Sequence, residues 1–81
     1  MTLDNRTLEL IAIGASVATN CQACLEYNVS KALEYGSDHQ QIAEAIEVGK
    51  RVRQGAAAKM DKFALNLNNI DTAAGECNCG S

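Results

Sequence analysis

Cys21 and Cys24 stand three residues apart within Thr19-Asn20-Cys21-Gln22-Ala23-Cys24-Leu25-Glu26-Tyr27-Asn28, where a helix should begin. Two thiols on a first helical turn share one side of it and are close enough to close a small disulfide. The amides at that end are unpaired, and the helix dipole favours negative charge there. A cysteine so placed has its thiolate stabilised, and the thiolate is the reactive form. The pair therefore points to redox chemistry rather than to packing. Asn28, four residues beyond Cys24, lies on the same face. If the preceding helix returns along this one through a turn centred near Thr19, Glu9 faces Asn28. A carboxylate, an amide and two thiols then share one seam. A carboxylate at that seam is expected to shuttle a proton.

The elements that must position these groups are all helical, because no proline interrupts the chain. Leu8, Ile11, Ala12, Ala15 and Ala18 recur at steps of three and four, predicting a first helix near residues 5 to 18. Leu10, Ile13 and Val17 widen its apolar stripe nearly all round, so burial on most sides is expected. Asn20 is a good N-cap for a second helix from about Cys21 to Tyr35. Gly36 stops that helix as a left-handed cap. Ser37 with Gln40 reads as a capping box opening a third helix. Ile42, Ile46, Gly49, Val52, Ala56, Met60, Phe63 and Leu67 carry that helix near a 3.5-residue spacing, for roughly 28 residues with weak points at Gly49 and Gly55. The expected fold is all-α: an antiparallel helical hairpin carrying C-x-x-C plus a long third helix, assembled as a homo-oligomer. The helical domain occupies 1–67, and 68–81 reads as a flexible tail.

Composition agrees with self-association. The 81 residues include one Phe, no Trp and many alanines. A chain this short buries only about 60% of its unfolded surface, and small scaffolds need a staple or a partner copy. With a net charge of −3, no basic surface for nucleic acid or anionic membrane is expected. The apolar stretch from Leu10 to Ala18 falls short of the roughly 20 residues that span a bilayer. The first residues show no signal region, so a soluble, cytoplasmic protein is expected. In a reducing compartment, clustered cysteines are more often catalytic or metal-binding than structural.

Glu-x11-Cys-x2-Cys followed by an apolar helix, Gly36-Ser37 and the helix Gln41-Ile42-Ala43-Glu44-Ala45-Ile46 resembles the alkylhydroperoxidase D-like, carboxymuconolactone decarboxylase superfamily. The segment Glu9-Leu10-Ile11-Ala12-Ile13-Gly14-Ala15-Ser16 and the paired cysteines are its most specific parts, within a likeness over roughly residues 6 to 57. The resemblance implies an all-helical trimer or hexamer that reduces peroxides or exchanges disulfides. It implies Cys24 as the attacking thiol, Cys21 as the resolving one and Glu9 as the proton-relay glutamate. A partner dithiol reductant, lipoyl or thioredoxin-like, is expected to reopen the pair, and no cofactor is expected. The family's relay histidine four residues after the second cysteine is here Asn28, which holds a hydrogen bond but carries no proton at neutral pH. His39, the one histidine, reads as an exposed turn residue.

Cys77-x-Cys79 in the tail has three readings. It is a second dithiol passing electrons to the first, half of a metal site with Cys21 and Cys24, or inert. Zinc knuckles usually lie about 12–20 residues apart, far closer than these two pairs. The rivals to a thiol–disulfide oxidoreductase are thus a metal-binding module on Cys21, Cys24, Cys77 and Cys79, and a structural oligomer that has lost activity.

Overall fold

The computed structural model describes residues 2–68; Cys77, Cys79 and the tail reading of 69–81 lie outside them. Three helices follow in order: α1 (Asn5–Ala18), α2 (Gln22–Glu34) and α3 (His39–Asn68), with no strand among the described residues. The hairpin plus long third helix stands as expected.

Helix α1 opens on Asp4, whose Oδ1 accepts the Thr7 N–H at 2.8 Å. Hydrogen bonding to Thr7 holds the Asp4 carboxyl below its ordinary range. Helix α1 is also the central element. It packs against both α2 and α3, which barely meet each other. Ile13, Ala32 and Ile42, one from each helix, form the buried core, with Leu10, Leu25, Val29, Ala45 and Ile46 packed around it. Full burial of a side chain such as Ile13 stabilises by about 1.5–3 kcal/mol. Burial on most sides does not hold within one chain, because Ile11 is 56% exposed.

α1 and α3 cross where Gly14 meets Gly49. A Cβ built at Gly49 would lie 2.5 Å from the Gly14 carbonyl oxygen and 2.8 Å from Val17 Cβ. What reads in sequence as a weak point of α3 is its tightest packing contact, open only to glycine.

The start of α3 differs by one residue from the Ser37–Gln40 box. Asp38 Oδ1 accepts the Gln41 N–H at 2.8 Å, and Gln41 Oε1 accepts the Asp38 N–H at 3.1 Å. Helix α3 then runs for 30 residues, about 45 Å at 1.5 Å per residue. Its outer half leaves the α1–α2 hairpin behind, and Met60, Phe63, Leu65 and Leu67 are all exposed.

Candidate redox site

The dithiol sits on a turn with no spare residues. Asn20, expected as the N-cap of α2, instead closes α1. It adopts a left-handed φ of 59°, donates its N–H to Val17 O at 3.1 Å, and is followed by Cys21, whose N–H reaches Ser16 O at 2.9 Å. That pair of bonds is a Schellman motif, which satisfies carbonyls at a helix end. A left-handed Asn is committed to that role, so the cap of α2 falls to the next residue. Cys21 Sγ accepts the Cys24 N–H at 3.3 Å and is itself the N-cap. One residue thus ends α1 with its backbone and begins α2 with its sulfur.

Cys21 and Cys24 are joined as a disulfide with Cα atoms 5.3 Å apart. Cys21 is half-buried and Cys24 exposed. Solvent therefore reaches the sulfur pair, and the amide-rich end of α2 faces it.

Asn28 does share the seam, but its partner is Ser16. Asn28 Nδ2 donates to Ser16 Oγ at 3.1 Å, and Ser16 Oγ donates to Ala12 O at 2.7 Å. The partner of Asn28 thus lies nearer the turn than Glu9, the residue expected opposite it. Glu9 bonds neither Asn28 nor a cysteine among the described residues. Glu9 Oε1 is buried without a hydrogen-bond partner among the described residues. The structure joins Cys21 and Cys24 at the turn and bonds Asn28 to Ser16 beside it. His39 opens α3, exposed, at the far end of α2 from the dithiol.

Three residues unmarked in the sequence complete the site. Ser16 holds Cys21 through its carbonyl and Asn28 through its hydroxyl. Arg53 Nη1 donates to Val17 O at 3.2 Å and to Asn20 Oδ1 at 3.0 Å, clamping the turn from α3. Lys50, one turn earlier, joins Arg53 in lining a cavity of about 300 Å³ whose wall includes Cys21, Gln22 and Ser16. The i, i+3 spacing of Lys50 and Arg53 was the available signal. Nothing local tied it to residues more than 30 positions away.

Among the described residues, no group of three or more His, Cys, Asp or Glu is placed to hold a metal. The four-cysteine metal reading rests on Cys77 and Cys79, outside those residues. No described helix is long and apolar enough to cross a membrane.

Comparison with known proteins adds the family. The chain is 42% identical over 72 residues to "Uncharacterized protein 4 in cox locus" of Paracoccus denitrificans, a match taking in 88% of this chain and 65% of that relative. The chain thus spans somewhat less than two thirds of the relative's length. No solved structure matches. The model of the carboxymuconolactone decarboxylase family matches residues 2–65, across all of α1 and α2 and nearly all of α3, and the chain belongs to that family.

Proposed function

We propose that this protein is a thiol–disulfide oxidoreductase working through Cys21 and Cys24. The carrying observation is a solvent-accessible disulfide whose first sulfur caps a helix and whose second is exposed. In the reduced form, the Cys24 N–H and the α2 dipole stabilise a thiolate on Cys21. That thiolate attacks one sulfur of a substrate disulfide, and the other leaves as a thiolate. Cys24 then attacks Cys21, closes the internal disulfide and releases the second substrate thiolate. Two electrons pass from the protein dithiol to the substrate. The cap favours this order, with Cys21 attacking and Cys24 resolving; the resemblance implies the reverse. A dithiol reductant, lipoyl or thioredoxin-like, reopens the pair.

Peroxide reduction is the less supported branch. It gains about 10²–10⁴-fold from a positioned acid or base. Asn28 supplies none, and Glu9 Oε1 is buried without a hydrogen-bond partner among the described residues. A homo-oligomer, trimer or hexamer by the resemblance, fits the apolar groove of Leu10, Ile11, Gly14, Val48 and Val52 between α1 and α3. Val48 and Val52 on the groove, and Met60 and Phe63 farther along α3, are exposed apolar residues, which suits a second copy of the chain as occupant.

Single-cysteine variants test the reading. Reduced Cys24→Ser, mixed with a model disulfide, should trap a mixed disulfide on Cys21, seen by peptide mass spectrometry. Faster trapping on Cys24 in Cys21→Ser would restore the order that the resemblance implies. If neither variant outpaces free cysteine at the same pH, the protein is a scaffold and not an oxidoreductase.

A further inference from the structure

The cavity beside Cys21 has a charge that the dithiol chemistry alone does not require. Lys50 and Arg53 line it, and no acid does, on a chain whose net charge is −3. Lys50 makes no ion pair among the described residues; the one pair found there, Lys31 with Glu34, lies on α2. Arg53 commits one nitrogen to the turn through Val17 O and Asn20 Oδ1. A guanidinium has five donors in a planar fork, so the rest of the fork is left for a ligand. Asn20, Gln22 and Ser16 add neutral polar groups, and Val17, Leu25 and Ile46 an apolar wall. The shape and chemistry suit a short carbon chain ending in a carboxylate, and the sulfur at the rim is the one that caps α2.

We infer that this cavity is the subsite for a carboxylate-bearing, low-molecular-mass disulfide, whose anionic end rests on Lys50 and Arg53 while its sulfur meets Cys21. The inference rests on the oxidoreductase reading for its chemistry, but the subsite itself can be tested without it. The exchange is balanced as above. The Cys21 thiolate forms a bond to one substrate sulfur and breaks the substrate S–S bond. Cys24 then forms the internal S–S bond, and the substrate leaves as two thiolates that take up the protons shed by the protein thiols. A planar fork matches a carboxylate in two parallel hydrogen bonds, and Lys50 adds a compact second charge.

Two measurements on the full chain decide it. In reduced Cys24→Ser, alkylation of Cys21 is read by peptide mass spectrometry with iodoacetate, an anion, and with iodoacetamide, its neutral analogue. The ratio of the two rates should fall about two- to fivefold in Lys50→Gln, and should fall likewise as salt is raised. Lys50 is exposed and its side chain makes no hydrogen bond or ion pair among the described residues, so this variant leaves the fold intact. In the protein with both cysteines, with each disulfide's rate divided by its rate with free cysteine, dithiodipropionate should oxidise the dithiol faster than hydroxyethyl disulfide, and cystamine should be slowest. Lys50→Gln should narrow that spread. An iodoacetate ratio unmoved by Lys50→Gln, or cystamine outpacing dithiodipropionate relative to free cysteine, overturns the subsite. An iodoacetate preference that depends on Lys50, with no disulfide reacting, upholds the subsite and overturns the oxidoreductase reading.

Discussion

The chain makes the same turn twice, and only one of the two carries the disulfide. At the end of α2, Ser37 N–H reaches Ala32 O at 2.9 Å and Gly36 N–H reaches Leu33 O at 3.1 Å. At the end of α1, Cys21 N–H reaches Ser16 O and Asn20 N–H reaches Val17 O at the same two distances. The second turn of the chain puts glycine in its left-handed position, at φ 95°. It then spends a further residue before α3, with Asp38 as a separate cap. The first turn puts asparagine there, anchors its side chain to Arg53, and lets Cys21 finish one helix and start the next. A turn that only has to reverse the chain takes the residue with the least steric cost. A turn that has to hold a sulfur in place takes a residue that can be bonded from a third helix.

The largest effect expected of this difference is at Gly36. No atom lies within 4 Å of a Cβ placed there, so Gly36→Ala meets only backbone strain. It should destabilise by about 1–3 kcal/mol in urea titration and leave thiol–disulfide rates unchanged. A change in those rates would mean that the two turns are coupled through α2. Arg53→Ala comes next. Losing two hydrogen bonds from one cation to the first turn should cost about 1–2 kcal/mol. It should also shift the reduction potential of Cys21 and Cys24, measured against a glutathione buffer. An unshifted potential would show that Arg53 braces α3 without tuning the dithiol.

These turns also show where sequence reading succeeds and where it stops. Helix extents were legible because apolar spacing and punctuating residues are local signals, and α1 begins and ends where the spacing predicts. Gly36 was legible as a cap because its conformation is a property of glycine itself. Asn20 was not, since asparagine serves both as an N-cap and as a left-handed closing residue. Only the carbonyls of α1 decide between them. That choice moved the cap of α2 to Cys21. Gly49 misled in a different way. Propensity counts a mid-helix glycine as a weakness, whereas its close contact with Gly14 belongs to a partner helix that no local window contains. Arg53 and Ser16 stayed invisible for the same reason. Their importance lies in bonds to residues brought near by folding.

The smallest effect is the most discriminating. Asn20→Gly keeps the left-handed turn and removes only the acceptor for Arg53. Glycine adopts this conformation without strain, but asparagine already tolerates it, so little strain is there to relieve. The loss of one charge-assisted bond and the added freedom of the unfolded chain both disfavour the variant. A net destabilisation of about 0.5–1 kcal/mol in urea titration follows. It should be non-additive with Arg53→Ala, because both variants delete the same bond. If Asn20→Gly is instead stabilising, the Arg53 link contributes nothing and the two turns differ only in which residue happens to close them. If it destabilises and the double variant is no worse than Arg53→Ala alone, the energy that distinguishes the turns lies in the bond between Asn20 and α3, one residue from the sulfur it positions.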